Sequence, residues 1–184
     1  MSDSRDPPGV GMTLRWWRWI AVALLWAVAL RAHDAMSSSA VAQLTPTRLE
    51  LTVDLGAEAA WLFLGESLDQ APDIDRSMDR LKAQAGKVYL LSWQGKEMKP
   101  RETSLSQRDD GGVAFKFVFD APAGSGKLRF EALYLKRMAE GHLTVFTLVD
   151  ADDNVLNGEI LSPRQMSAEF TLPVPPVPAV KPPR

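Results

Sequence analysis

Histidine offers the widest chemical repertoire in this chain, and it occurs only twice, at His33 and His142. An imidazole can bind a transition metal or transfer a proton near neutral pH. If the chain is cleaved after Ala32, His33 becomes an N-terminal histidine that offers an amine and an imidazole together. His142 could then supply a third nitrogen to copper or nickel. Alternatively, His33 is lost with a signal peptide and His142 begins a strand, where it faces solvent or is hydrogen-bonded locally.

Residues 121–128, APAGSGKL, end like a nucleotide-binding phosphate loop. Such a loop needs a glycine at its first position and a serine or threonine after its lysine, to curl the backbone and to hold magnesium. Here these positions are Ala121 and Leu128. The following residues alternate like a strand, whereas a phosphate loop leads into a helix. Because Gly124 and Gly126 are typical turn residues, we interpret the segment as a hairpin turn and expect no nucleotide.

Residues 150–154, DADDN, begin like a calcium-binding loop. The sixth position of such a loop requires a glycine and the twelfth a bidentate glutamate. Val155 and Leu161 occupy these positions here. The segment is therefore predicted to be an acidic hairpin tip.

No set of residues indicates catalysis. A hydrolytic triad would need His142 beside a nucleophile such as Ser125 or Ser162, and no serine lies in a nucleophile-elbow sequence. The chain has no cysteine, which excludes disulfides and thiolate sites. Its formal net charge of −2 gives no reason to expect nucleic acid as a partner. We expect a non-enzymatic protein with no cofactor, the copper or nickel alternative aside.

The N-terminal region has the pattern of an export signal. Arg15 and Arg18 flank an unbroken apolar run at residues 20–30. This run matches a signal-peptide core and is shorter than the about 20 residues that cross a bilayer. We therefore expect a periplasmic or secreted protein. The alternative is an uncleaved inner-membrane anchor formed by residues 16–32.

The small residues at 40–42 predict signal cleavage between Ala42 and Gln43, with cleavage after Ala32 as the alternative. The predicted organisation is a signal peptide at 1–42, a single domain at 43–172 and a disordered tail at 173–184. The tail contains six prolines, which cannot continue a sheet and indicate a spacer or a loose end.

Alternation of apolar and polar residues predicts strands through most of the domain. In 48–54, Leu49, Leu51 and Val53 fall on one face and polar residues on the other. Further strands are predicted at 57–64, 87–93, 112–120, 127–135, 142–150 and 167–172, with weaker ones within 98–107 and 154–161. The 57–64 strand is expected to form a hairpin with 48–54, and Pro100 confines 98–107 to an edge.

One segment, 73–86, changes to a helical period. Its apolar stripe consists of Ile74, Met78, Leu81 and Ala85. Asp73 is a candidate N-cap and Gly86 a candidate left-handed residue after the last turn. The predicted fold is mostly β, an antiparallel immunoglobulin-like β-sandwich with one short helix across a sheet.

The order of these segments resembles the extracytoplasmic domain of HupE/UreJ-type membrane proteins. The resemblance covers most of 48–172 and depends on Ala32-His33-Asp34, the RLEL of the first strand, the turn Gln94-Gly95-Lys96-Glu97-Met98, His142 before a strand, and Leu161-Ser162-Pro163. In that family, membrane helices associated with nickel transport would follow Phe170, where this chain has prolines. The resemblance thus implies no transport, but an exported accessory or interaction domain that accompanies a separately encoded envelope membrane protein.

Overall fold

The computed structural model describes residues 38–66 and 74–172, with the side chains of residues 74 and 75 excepted. These residues belong to the compact unit Ala35–Arg184. The strands are β1 (Ser38–Leu44), β2 (Arg48–Leu55), β3 (Tyr89–Trp93), β4 (Lys96–Glu97), β5 (Glu102–Gln107), β6 (Val113–Asp120), β7 (Gly126–Ala132), β8 (Thr144–Val149), β9 (Val155–Leu161) and β10 (Ser167–Leu172). The helices are α1 (Ala57–Leu64) and α2 (Ile74–Ala83), with short 3-10 turns at Ala85–Lys87 and Leu133–Arg137.

The strands form two sheets, which confirms the predicted mostly-β sandwich. The first sheet has six strands in the order β5-β6-β2-β1-β8-β9, and the second has four in the order β10-β7-β3-β4. Neighbouring strands are antiparallel except β1 and β8, which run parallel. The predicted edge position of the 98–107 segment is also confirmed, since β5 is an outermost strand.

The core lies between the sheets and is built by the alternation seen in the sequence. Leu49, Leu51 and Val53 are fully buried, as are the inward residues of β6 and β7. Phe146 of β8 joins the two layers: its ring centroid lies 4.5 Å from that of Phe130 and 5.2 Å from that of Phe170. Such stacked rings bury a large apolar area in one contact.

The first described strand, β1, covers Ser38–Leu44 and therefore crosses the predicted domain start at Gln43. β1 lies between β2 and β8 in the middle of the larger sheet. Ala40 and Ala42 are 0% exposed. The small side chains that resemble a cleavage motif are thus core residues that fit beneath the second sheet. The cleavage site between Ala42 and Gln43 would cut β1, whereas residues 1–37, which include Ala32, lie outside the described part of the chain.

Segment 57–64, predicted as a strand, is helix α1. Its buried residues Ala59, Ala60, Phe63 and Leu64 recur with a helical period. The helix ends at Gly65, whose φ of 75° is left-handed and whose N–H donates to the carbonyl of Leu62. A short apolar segment fits both periods, and its three alanines favour the helix. β1, rather than this segment, pairs with β2 on the side away from β6.

The predicted helix at 73–86 is confirmed in part. α2 covers Ile74–Ala83, and Leu81 and Ala85 are buried as expected. Asp73, the candidate N-cap, lies outside the described residues. Gly86 does not take the predicted left-handed conformation, because a 3-10 turn at Ala85–Lys87 continues the chain from the helix. No helix among residues 38–66 and 74–172 has the length and apolar character to span a membrane.

Candidate functional site

His142 belongs to a buried group of four polar side chains, here called the polar cluster: Ser38, Tyr134, His142 and Thr144. Ser38 begins β1, Tyr134 lies in the 3-10 turn after β7, and Thr144 begins β8. The cluster therefore joins both sheets at the end of the sandwich where the parallel strands β1 and β8 start.

Ser38 is at the centre of the polar cluster. Its Oγ lies 2.8 Å from His142 Nε2 and 2.6 Å from Thr144 Oγ1. Tyr134 donates its hydroxyl proton to Ser38 Oγ at 3.0 Å, and its oxygen lies 2.7 Å from Thr144 Oγ1. Buried polar groups that satisfy one another in this way fix the positions of the elements that carry them.

The polar cluster is closed to solvent. Ser38 is 6% exposed and His142 4%, and Tyr134 and Thr144 are fully buried. Burial lowers the pKa of His142 below its ordinary value. Burial raises the pKa of Tyr134 to about 12, and the hydrogen bonds of Tyr134 with Ser38 and Thr144 offset part of this rise. Both side chains are therefore neutral at pH 7. Ser38 and His142 have the separation of a nucleophile and its base. Because both side chains are buried, a substrate could react with Ser38 only after the cluster had opened to solvent.

The structure supports the local alternative for His142, a hydrogen-bonded rather than a solvent-facing residue. Residues 38–66 and 74–172 contain no group of three histidine, cysteine, aspartate or glutamate side chains placed to hold a metal. His33 lies outside these ranges. The sequence predicted a strand at 127–135, which contains Tyr134, and gave no sign of Ser38, because that residue fell within the predicted signal peptide.

The glycine-containing segment 121–125 is a turn, as predicted, but not a hairpin. It connects β6 of the first sheet with β7 of the second. Gly124 is left-handed, with a φ of 74°. Gly126 opens β7, where a Cβ atom would lie 2.6 Å from atoms of Trp93 and Gln94. These two glycines therefore allow the chain to pass from the first sheet to the second.

The acidic segment 150–154 is the tip between β8 and β9, as predicted. Asp150 Oδ1 accepts hydrogen bonds from the backbone N–H groups of Asp152 and Asn154, each at 2.9 Å. The Nδ2 of Asn154 donates to Asp150 Oδ2 at 2.9 Å. These bonds lower the pKa of Asp150. The carboxylate closes its own turn and is thereby occupied within the tip.

A small cleft lies between the sheets near β4 and β5. Its volume is about 170 Å³, and Tyr89, Met98 and Phe117 contribute to its lining. Pockets for small molecules usually measure about 300 Å³ or more and have several convergent polar groups. The charged groups beside this cleft, Glu97 and Lys99, are paired with each other. The cleft is therefore a poor candidate for a ligand site.

A group of exposed apolar side chains lies on the outer face of β1, β8 and β9, near the polar cluster. We call Val41, Leu143, Val145 and Ile160 the outer patch. Val145 is 52% exposed and Ile160 60%, and the two residues are direct cross-strand partners. Ser39 lies opposite Val145 in the register and Thr147 lies opposite Val41, so the direct cross-strand neighbours of the two valines are uncharged. Exposed apolar surface in one place marks interaction sites.

The outer patch adjoins an open sheet edge. β9 is the outermost strand of the larger sheet and, among the described strands, pairs with β8 alone. Six of its seven residues are exposed. An unpaired edge presents a row of backbone N–H and C=O groups to solvent, which suits the addition of another strand. The outer patch and the β9 edge form the candidate interaction site.

Comparison with known proteins gives no matching family model and no matching curated protein. The resemblance to HupE/UreJ-type domains therefore stays a prediction from the sequence. Function has to be inferred from the surfaces of the molecule.

Proposed function

We propose that this chain is an exported, non-enzymatic accessory domain that binds a partner protein through the outer patch. The observation that carries the proposal is the contiguous exposure of Val145 and Ile160 on two strands whose neighbouring residues Phe146 and Leu161 are buried. Full burial of an aliphatic side chain against a partner contributes about 1.5–3 kcal/mol, and about half of that is still available to a half-exposed one.

The surroundings of the outer patch indicate the chemistry of its partner. Ser39, Gln43 and Thr147 provide uncharged polar groups on the same face of β1 and β8. The charged side chains of this face begin on β2, where Asp54 accepts a hydrogen bond from Ser39 at 3.5 Å and Glu50 lies 2.7 Å from Lys116 of β6. A partner with an apolar, uncharged surface fits such a face, because it would bury no unpaired charge.

Export and an envelope partner are parts of the same proposal. The basic flank and apolar run at the N-terminus support export to the periplasm or beyond. The sequence resemblance to HupE/UreJ-type domains supports a separately encoded membrane protein as the partner. Cleavage after Ala32 leaves β1 intact, and we propose it as the processing site in place of Ala42.

Photo-crosslinking in living cells tests this function. A crosslinking amino acid at Val145 should form a product with one envelope membrane protein. The same group at Lys116, on the polar half of the same sheet, is the matched control and should not. Equal products from both positions, or none from Val145, would contradict a partner at the outer patch. Products with a second copy alone would do so too.

The alternative function is copper or nickel binding by an N-terminal His33 with His142. It is favoured by the contact between His142 and Ser38, since a chain cleaved after Ala32 begins only five residues before Ser38. Five extended residues span at most about 18 Å. Calorimetric titration of the processed chain with Cu²⁺ tests it: binding that is lost in His142→Gln would support a metal site, and equal binding in both chains would exclude this one.

A further inference from the structure

The polar cluster contains four close contacts between its side chains. Ser38 Oγ lies 2.8 Å from His142 Nε2 and 2.6 Å from Thr144 Oγ1. Tyr134 closes a triangle of hydroxyl groups, with its oxygen 3.0 Å from Ser38 Oγ and 2.7 Å from Thr144 Oγ1. Each separation is that of a hydrogen bond, which needs one proton between the two atoms. Because all four side chains are buried, these protons have to come from the cluster itself.

The number of protons available depends on the tautomer of His142. Each of the three hydroxyl groups brings one proton. If Ser38 donates its proton to Nε2, only the protons of Tyr134 and Thr144 remain for the three contacts of the triangle. Two hydroxyl oxygens would then face each other without a proton between them. A buried polar contact that is left unsatisfied in this way is costly.

The other tautomer satisfies every contact. His142 donates from Nε2 to Ser38 Oγ, which also accepts the proton of Tyr134. Ser38 donates in turn to Thr144, and Thr144 donates to Tyr134. A hydroxyl oxygen can accept two hydrogen bonds while it donates one, so Ser38 has its full complement. Four protons then serve four contacts.

We infer that the polar cluster holds His142 as the neutral tautomer with its proton on Nε2 and its free electron pair on Nδ1. Ser38 then has no general base, because the ring nitrogen that faces it is itself a donor. In the part of the chain that the structure describes, His142 makes no hydrogen bond through Nδ1. The enclosed side-chain atom without a partner in these residues is Glu66 Oε2, so Nδ1 is in contact with solvent. A ligand of this histidine would therefore bind at Nδ1.

This inference goes beyond the proposed function and does not depend on the outer patch. Histidines that bind a metal usually donate their other ring N–H to a fixed acceptor, which sets the tautomer. Ser38 is such an acceptor, since the triangle of hydroxyl groups keeps its oxygen available to Nε2. The copper or nickel alternative thus requires Nδ1 of His142, whereas the direction of the same hydrogen bond excludes Ser38 as an activated nucleophile.

Nuclear magnetic resonance of the processed, isotope-labelled chain without metal at neutral pH measures the tautomer directly. Nε2 is the ring nitrogen that couples strongly to both ring C–H protons, and the protonated nitrogen is recognised by its chemical shift. His142→Gln identifies the signals of His142, because the only other histidine in the sequence is His33. We expect the Nε2–H form to exceed the Nδ1–H form roughly tenfold or more, as the cost of an unsatisfied buried contact requires.

Replacement of the two tyrosines of the chain separates the proton count from burial. Tyr134→Phe opens the triangle, so that Ser38 can donate to Nε2 and Thr144 to Ser38 with no contact left unsatisfied. The ratio of the two tautomers should then fall severalfold. Tyr89→Phe, at a buried tyrosine outside the polar cluster, is the matched control and should leave the ratio unchanged.

The inference holds if wild-type His142 carries its proton on Nε2 and if this preference weakens in Tyr134→Phe alone. It is overturned if the wild type carries the proton on Nδ1 or averages both forms, or if the two tyrosine variants keep or change the ratio alike. If Tyr134→Phe fails to fold, the wild type decides: its Nε2–H signal must persist against exchange with water, and rapid exchange overturns the inference. A proton on Nε2 in a chain that binds no Cu²⁺ would reject the metal alternative alone, and crosslinking from Val145 tests the proposed function separately.

Discussion

Removal of the first five residues of β1 should abolish folding. A chain that starts at Gln43, the first predicted cleavage product, lacks Ser38–Ala42, whereas a chain that starts at His33 contains all of β1. The missing residues pair with β2 on one side and with β8 on the other. Without them β2 and β8 would lose the strand that joins them.

The magnitude follows from the position of β1 in the sheet. Five residues of a central strand carry about ten backbone donors and acceptors, and a hydrogen bond contributes about 0.5–1.5 kcal/mol net. Their loss costs roughly 5–15 kcal/mol, which equals the whole stability of an ordinary domain. Ala40 and Ala42 also leave the core, and Tyr134, His142 and Thr144 lose their contact with Ser38.

Thermal unfolding followed by circular dichroism compares the two chains. The chain from His33 should unfold cooperatively, and the chain from Gln43 should show no cooperative transition and no near-ultraviolet signal. Mass determination of the exported protein should accordingly place its N-terminus before Ser38. A chain from Gln43 with an unfolding temperature equal to that of the longer chain would refute the central place of β1.

Three further predictions concern single side chains. The free energy of unfolding should fall as the pH drops below about 6.5, by at most about 1.4 kcal/mol per unit, because the unfolded chain binds a proton that buried His142 resists. Urea titrations from pH 5 to 7.5 should show this slope reduced in His142→Gln, and parallel profiles would contradict it. Phe146→Ala should cost about 3–5 kcal/mol in the same assay, because its ring fills the space between the sheets, whereas exposed Val145→Ala should cost little. A loss below about 1 kcal/mol for Phe146 would show that the core repacks. Asp150→Ala should lower the unfolding temperature of the wild type, and millimolar Ca²⁺ should not change that of either chain; a calcium-dependent rise that needs Asp150 would restore a metal role for the tip.

The parts of the fold that could be predicted are those where one face of a strand is buried. In β2, β6 and β7 the inward residues alternate without exception, and the sequence pattern follows directly from the packing. α1 was assigned wrongly because its eight residues satisfy both the strand and the helix period, and alanine content decided in favour of the helix. β1 was missed because small residues fit a signal peptidase and a crowded core equally well.

The candidate site was less predictable than the fold. His142 was identified from its rarity, but its partner Ser38 lies 104 residues away in the sequence, and no local pattern joins the two. The exposure of Val145 and Ile160 could not be predicted from the sequence for a related reason. Both belong to strands of apolar residues, and only the strand order shows that β8 lies next to an edge.

Hydrogen–deuterium exchange tests the interaction surface most directly. The processed chain would be measured alone at low concentration and again in envelope membranes of the cells that produce it. The account predicts slower exchange in peptides from β9 (Val155–Leu161) and unchanged exchange in peptides from β5 (Glu102–Gln107). Slower exchange at β5, or unchanged exchange at β9, would contradict binding through the open edge and the outer patch.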